Sequence, residues 1–369
     1  MGGLFGFGKD KAPDYGAIDI GSSTIKICQV TKAKSGAVQL FRFATCPTPP
    51  MTIKDGSIVD SRVLGEAIKS ALSADKIECK RLITAVSGQQ VVIRPIAMTK
   101  MTEKELNQAI KFEAERYLPY SVADAQISGK IISDDAGDGK NNMEVLLIAV
   151  PNEIVNNAKE VIKMADVEPG AIDLEPLALY RALKAAVDPG HIDKTLALIN
   201  LGASSSSINI FKGGVLRHNR TISIAGNSFT KAIGQSLNLS FEEAEKIKKE
   251  KGVIRVEKDS TPVPPTTMRI FNVIIPVLTE LVTEIQRSFD YYRSRYKGES
   301  VDLVVLSGGT AKFKNIETYL FNELGVACEV ANPFKVMSIQ KVPGLTPEDI
   351  EELAPMAMVV IGLALRDIS

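Results

Sequence analysis

The chain has 369 residues, 45% hydrophobic and 24% charged, enough to bury one large core or two medium ones. Lys plus Arg and Asp plus Glu balance at 44 each, which excludes a protein built to hold nucleic acid by neutralising phosphates. Four scattered cysteines (Cys28, Cys46, Cys79, Cys328) without a CxxC pair, and only two histidines, exclude a disulfide-stapled secreted fold and argue against zinc; a reducing cytosol is the expected compartment.

In chain order, residues 1–13 are expected to be a flexible N-terminus. MGGLFGFGKDK has no basic stretch leading into a long apolar run, and position 6 is Gly where a myristoylation signal has Ser or Thr. Residues 18–27 read IDIGSSTIKI, with β-branched residues before a glycine turn and alternation after it, which predicts a β-hairpin. Residues 14–80 with 171–194 are expected to form the first half of a main domain. Between them, 81–170 reads as an inserted α+β subdomain. Its predicted elements are strands over 82–86 and 91–96, a helix over 102–117 opened by a Thr102/Glu105 capping box, and strands split by the polar turn 133–142. A strand over 145–150 and a helix over 152–164 complete it.

The second half, 195–369, opens with an echo. Residues 199–208 read INLGASSSSI, so that Asp19 faces Asn200, Gly21 faces Gly202, Ser23 faces Ser204 and Thr24 faces Ser205. Ser240 and Glu243 make another capping box, and the helix it opens sets Glu245 and Lys248 on one face. Residues 251–267 read as a surface loop. The helix predicted over 268–296 carries an apolar stripe (Phe271, Ile274, Ile275, Leu278, Leu281, Ile285), with Pro276 expected to kink it or split it in two. An apolar strand over 304–306 then runs into Ser307-Gly308-Gly309, and 311–320 resumes helical spacing, placing a positive helix end at the turn. The longest apolar stretch, 354–365, is about a dozen residues, short of the ~20 that a spanning helix needs.

The turns have a chemical use. Glycine lets the backbone approach a ligand closely, and the hydroxyl residues that follow supply N–H and O–H donors suited to phosphate. Two such hairpins from duplicated halves can grip a polyphosphate from opposite sides of a cleft.

Together these motifs resemble the actin-like ATPase superfamily, in which phosphate-1, phosphate-2 and adenosine segments come in that order. Glu175-Pro176-Leu177-Ala178 resembles its EPxA segment, Ala244 to Lys248 its AExxK helix, and 354–364 its second connecting helix. Over nearly its whole length the chain is most similar to the PilM family of type IV pilus assembly. Phe112-Glu113-Ala114-Glu115-Arg116-Tyr117-Leu118-Pro119-Tyr120, the run Arg287 to Tyr292, and Asn332-Pro333-Phe334 carry that likeness.

The resemblance implies an α/β, actin-like (ribonuclease-H-like) duplicated fold. Two lobes would flank a nucleotide cleft, with a nucleotide-base subdomain at about 225–300. It implies ATP and Mg2+ as ligands. Gly21, Ser22 and Ser23, with Gly202, Ala203, Ser204 and Ser205, would hold phosphates, and Asp19 would hold magnesium through water. Glu245 and Lys248 would border ribose and base, while Gly308, Gly309 and Lys312 would complete the adenosine pocket. Lys26 shares a strand face with Thr24 and is either a further phosphate ligand or a solvated lysine. Glu175 is the candidate for orienting an attacking water. The chain departs from the superfamily at Asn200, where the phosphate-2 motif has an acid. An amide carries no charge and is no base, so hydrolysis is expected to be slow or absent.

As partners the resemblance implies the N-terminal cytoplasmic tail of a PilN-like inner-membrane protein, other pilus assembly proteins and the pilus motor ATPases, but no nucleic acid. The expected place is cytoplasmic, peripheral to the inner membrane through a partner. Phe112, Tyr117, Leu118, Pro119 and Tyr120 are the candidates for lining the tail's groove, unless they are simply core. The alternatives are a small-molecule kinase of the same superfamily, a division protein like FtsA, and the actin-like module of type II secretion. A kinase needs a carboxylate poised against an acceptor hydroxyl, and no acidic motif in the insert or near Asn200 fits. A membrane-binding tail like that of FtsA is not expected, because the sequence ends just after the second connecting segment.

Overall fold

The sequence echo becomes two sheets of one topology. The computed structural model describes residues 13–33, 37–54, 56–137, 139–186, 193–256, 264–339, 342 and 344–366. The expected flexible start, apart from Pro13, lies outside them, as does 257–263 of the expected surface loop.

The first sheet opens with antiparallel β1 (Tyr15–Ile20), β2 (Thr24–Lys32) and β3 (Val38–Pro47). A small hairpin, β4 (Ile53–Lys54) and β5 (Ser57–Ile58), and helix α1 (Ser61–Ala74) lead to β6 (Arg81–Val86), which pairs parallel with β1. Next come β7 (Val92–Thr99), α2 (Glu103–Ala114), β8 (Ala125–Ser133) and β9 (Asn142–Pro151). Their three strands form a separate antiparallel sheet in the order β7-β9-β8. Against it α2, opened by the Thr102/Glu105 capping box, buries Leu106, Ile110 and Ala114. The chain then returns through α3 (Asn152–Met164), which packs on α1, to β10 (Glu168–Leu174), parallel to β6. The full order is β10-β6-β1-β2-β3.

This sheet corrects the expected insert. Strand β6 and helix α3, expected within 81–170, are built into the first sheet and its helical layer; the insert's own sheet runs from Val92 to Pro151. Leu82 and Ile83 are buried because β6 lies between two parallel neighbours, a placement that apolar patterning does not reveal.

Helix α4 (Glu175–Ala186) leads to the second sheet of β11 (Thr195–Leu201), β12 (Ser206–Lys212) and β13 (Val215–Ile222), followed by α5 (Gly226–Leu237), α6 (Phe241–Lys251) and α7 (Pro265–Arg295). Then come β14 (Leu303–Ser307), α8 (Ile316–Leu324), β15 (Ala327–Val330), α9 (Pro347–Leu353) and α10 (Met358–Ala364). The order β13-β12-β11-β14-β15 is antiparallel through its first three strands and parallel through its last three. Read from the other edge, it is the first sheet again.

Two helical expectations change. Helix α7 is not split by Pro276: the proline lies on its exposed side, while Ile270, Ile274, Leu278, Leu281 and Ile285 form one buried stripe on both sides of it. Phe271 and Ile275, placed in that stripe by spacing, are only half buried. After β14 no helix begins at the glycines. A single 3-10 turn, Gly309–Lys312, is followed by Asn315 at φ 70°, and α8 starts at Ile316. Asn315 holds that left-handed step by donating from Nδ2 to the Ile254 carbonyl at 2.9 Å.

The chain's last helix crosses back. All of α10 is buried, packed on α4 and the first sheet, so this end of the expected second half belongs to a core shared by both. The helices meet so closely that a Cβ at Gly362 would stand 1.8 Å from the Ala178 carbonyl oxygen.

Candidate functional site

Three turns converge on a cleft of about 540 Å³: the β1–β2 turn, the β11–β12 turn and the one after β14. Strand pairing brings them there, since β1 and β11 hold equivalent central places in their sheets. The first two turns share one geometry. A Cβ at Gly21 would stand 2.7 Å from the Thr24 carbonyl oxygen, and one at Gly202 would stand 2.6 Å from that of Ser205. Only glycine closes a hairpin this tightly. The turns touch across the cleft, where the Ser22 and Ser204 hydroxyl oxygens lie 2.7 Å apart. Gly308, at φ 89°, lets the third turn pass against the Leu201 carbonyl, and Thr310 Oγ1 donates to the Gly202 carbonyl at 3.0 Å. The start of α5 joins the same cluster: the Gly226 and Asn227 amides donate to the carbonyls of Gly202 and Ala203 at 2.9 and 2.7 Å.

Charged side chains line the cleft in pairs. Lys26 is not solvated: its side chain is 12% exposed and its ammonium lies 2.9 Å from Asp19 Oδ2. Glu245 and Lys248 meet at 2.6 Å, and Lys248 also donates to the Gly226 carbonyl and the Thr230 hydroxyl. Burial alone would raise the Glu245 carboxyl. Bonds from Lys248 and Thr230 and the charges of Lys248 and Lys249 outweigh it and hold the group below the usual carboxylate value. Burial draws Lys248 below the usual lysine value, with Glu245 opposing. At the outer end Lys312 Nζ reaches Glu352 Oε1 at 2.5 Å.

Glu175, at the head of α4, also lines the cleft. Its Oε1 accepts from Asn200 Nδ2 at 3.0 Å and from Ser207 Oγ at 2.7 Å. Asn200 suits this place physically. An aspartate there would set two carboxylates against each other, whereas the amide donates to Glu175.

All the candidates for phosphate, metal, ribose and base thus line one cleft: Asp19, Gly21, Ser22, Ser23, Lys26, Gly202, Ala203, Ser204, Ser205, Glu245, Lys248, Gly308, Gly309 and Lys312. Thr310, Lys249, Glu352 and Ser207 were missed. Ser207 carried a signal, since it stands directly across the hairpin from polar Asn200 and, with Asn209, interrupts otherwise apolar strands.

The five candidates for a partner groove separate. Phe112 is 77% exposed on α2, and Pro119 is exposed. Tyr117 and Leu118 pack against the insert's core, with the Arg94 guanidinium 4.7 Å from the Tyr117 ring centre. Tyr120 donates to the carbonyls of Gln90 and Ala149 at 2.8 and 3.2 Å. None of the five lines the cleft.

Two sheets of one topology, joined by crossing helices and meeting at three glycine turns, make this an actin-like ATPase fold. The chain matches the family Type IV pilus assembly protein PilM over residues 17–368 and belongs to that family. It is therefore an actin-like protein of pilus assembly.

Among solved structures it is similar to the PilM-PilN type IV pilus biogenesis complex, at 27% identity and TM-score 0.83, covering 97% of this chain and 100% of that one. MreB5 of Spiroplasma citri bound to ADP shares the fold at 14% identity and TM-score 0.54, covering 96% of each chain. The cell division protein FtsA of Bacillus subtilis is 27% identical over 260 residues, 64% of this chain and 58% of that protein. FtsA of Streptococcus pneumoniae is 23% identical over 256 residues, 63% and 55% of the two. The chain thus spans little more than half the length of these curated relatives. Among the described residues no helix is long and apolar enough to cross a membrane.

Proposed function

We propose that this protein is the ATP-binding, actin-like component of the inner-membrane assembly complex of a type IV pilus, and that it holds the N-terminal tail of a PilN-like membrane protein. The observation that carries the nucleotide reading is the meeting of three glycine turns, two of them matched, in one cleft. Likeness to a PilM-PilN complex over 97% of the chain supports the partner. The tail is assigned to the insert, where Phe112 and Pro119 are exposed and Tyr117, Leu118 and Tyr120 are partly buried.

The turns supply what a polyphosphate needs: backbone amides and the hydroxyls of Ser22, Ser23, Ser204 and Ser205. Glu245 and Lys248 border the ribose and base, and Gly308, Gly309 and Lys312 close the adenosine end. Magnesium takes one or two carboxylates beside phosphate oxygens and keeps several waters. Among the described residues no three acidic, histidine or cysteine side chains cluster, so the donor set fits a water-rich ion on Asp19 and phosphates. Asp19 would hold the ion, which would supply neutralisation of phosphate charge, and Lys26 would face a phosphate. Glu175 would orient water. With an amide at Asn200, turnover is slow at most.

Calorimetry with Mg-ATP tests the cleft: wild type binds and Asp19→Ala does not, and equal affinities would reject the assignment. A pull-down from solubilised inner membranes, with and without Mg-ATP, tests the partner. Recovery of a protein with one spanning helix and a short cytoplasmic tail is expected. Recovery of none, together with phosphate transfer to a small acceptor, would replace this reading by a kinase.

A further inference from the structure

A line of side-chain hydrogen bonds leads from Glu175 into the second sheet. Asn219 Nδ2 donates to Asn209 Oδ1 at 2.6 Å, Asn209 Nδ2 to Ser207 Oγ at 3.1 Å, and Ser207 Oγ to Glu175 Oε1 at 2.7 Å. From the other side Ser307 Oγ donates to Asn200 Oδ1 at 3.3 Å, and Asn200 Nδ2 to the same Glu175 oxygen at 3.0 Å. Strand register assembles the line. Ser307, Asn200 and Ser207 stand opposite one another on β14, β11 and β12, and Asn209 stands opposite Asn219 on β13.

One backbone carbonyl sets the polarity of the longer arm. Asn209 Nδ2 also donates to the Leu198 carbonyl oxygen at 3.2 Å, and a carbonyl only accepts. The amide nitrogen of Asn209 is therefore turned toward β11 and its oxygen toward Asn219. Because Asn209 also donates to Ser207, the Ser207 proton is left for Glu175. Every donor in both arms points toward the carboxylate, and both arms end on Oε1. Among the described residues no donor reaches Oε2, which leaves that oxygen to the cleft.

Such a line is costly to build. Asn209 is fully buried and Ser207 is 5% exposed, in strands otherwise rich in Ile, Leu and Ala, where apolar side chains would pack without desolvation. Neither Ser207, Asn209 nor Asn219 lines the cleft, so they do not contact a nucleotide there.

We propose that Ser207, Asn209 and Asn219 are positioning residues for Glu175. They hold Oε1 so that Oε2 is presented to water at the phosphate end of the cleft. The proposal rests on the reading of Glu175 as the water-orienting group and adds how the sheet aims it.

The test is single-turnover hydrolysis of Mg-ATP with protein in excess, with affinity measured separately by calorimetry. Ser207→Ala removes the last donor. Asn209→Asp keeps the shape but cannot donate, so the Ser207 proton turns away from Glu175. Each variant is expected to lower the hydrolysis rate about tenfold or more, the worth of a bond to a charged group, while affinity stays within about twofold. Ser207→Thr, which keeps the hydroxyl, is expected to restore the rate. A wild-type rate in Ser207→Ala and Asn209→Asp, beside a loss in Glu175→Gln, would overturn the positioning role and leave Glu175 in place. A wild-type rate in Glu175→Gln, or no measurable turnover by the wild type, would remove both. If Asn209→Asp does not fold, Ser207→Ala with its threonine rescue decides alone.

Discussion

The hydroxyl oxygens of Ser22 and Ser204 stand 2.7 Å apart, each carried by the glycine turn that opens its half of the chain. The bond is neutral and partly exposed, so it contributes only about 1 kcal/mol to stability. On the proposed reading its value is in recognition, because a phosphate entering between the turns would exchange one neutral bond for two charge-assisted ones.

Ser22→Ala and Ser204→Ala are each expected to weaken Mg-ATP binding about tenfold and to leave the melting temperature within about 2 °C of wild type. Titration calorimetry and thermal melts measure the two. Unchanged affinity in both variants would place the phosphates elsewhere.

The insert is tied to the second sheet by a buried acid. Glu144 on β9 is 5% exposed; it pairs with Arg217 on β13 and accepts from the Tyr296 hydroxyl at 3.2 Å. Glu144→Ala strips the half-buried Arg217 of this partner and is expected to cost about 3 kcal/mol or more. Urea unfolding measures the loss, and hydrogen exchange should rise first in β9 and β13. An unaltered unfolding midpoint would mean that the insert is held by its apolar contacts alone.

Stability should fall on the acid side of neutrality through His218. Among the described residues its buried Nε2 has no hydrogen-bond partner, its ring lies 5.0 Å from that of Tyr291, and burial, then the charge of Arg220, push it down to about 4. An unfolded histidine titrates near 6.5, so between these values the unfolded chain binds a proton that the folded one does not. The contribution is complete above about pH 6.5 and is lost as pH falls toward 4, by about 3 kcal/mol in all. Urea unfolding at pH 7 and pH 4.5 should therefore differ more for wild type than for His218→Phe. Equal differences would remove His218 from the account.

Where α10 crosses α4 there is no room for a methyl group. Gly362→Ala would drive a Cβ into the Ala178 backbone, and overpacking of this kind costs about 3 kcal/mol. A fall in melting temperature of several degrees is expected, and a tolerated alanine would show that the helices can separate freely.

Much of the candidate site was legible because its signals are local. A glycine between a β-branched run and an alternating one specifies a tight hairpin whatever surrounds it, and two such runs in register betray a duplication. The capping boxes at Thr102 and Ser240 formed for the same reason, since each needs only four consecutive residues. Pro276 misled because its effect depends on which side of the helix meets solvent. The helix expected after Gly308-Gly309 was delayed to Ile316 by Asn315, whose left-handed step is held by a carbonyl on another segment.

By itself, then, the sequence determined the duplicated hairpins, the glycine turns and the residues that crowd a single cleft. Tertiary structure alone decided that β6 joins the first sheet, that the last helix returns to it, that Lys26 answers Asp19, and that Ser207, Asn209 and Asn219 all direct their donors toward Glu175. The reason is physical. Periodicity reports which face of an element is buried but not the partner it is buried against, and a hydrogen bond between Ser207 and Glu175 exists only once the sheets have closed on each other.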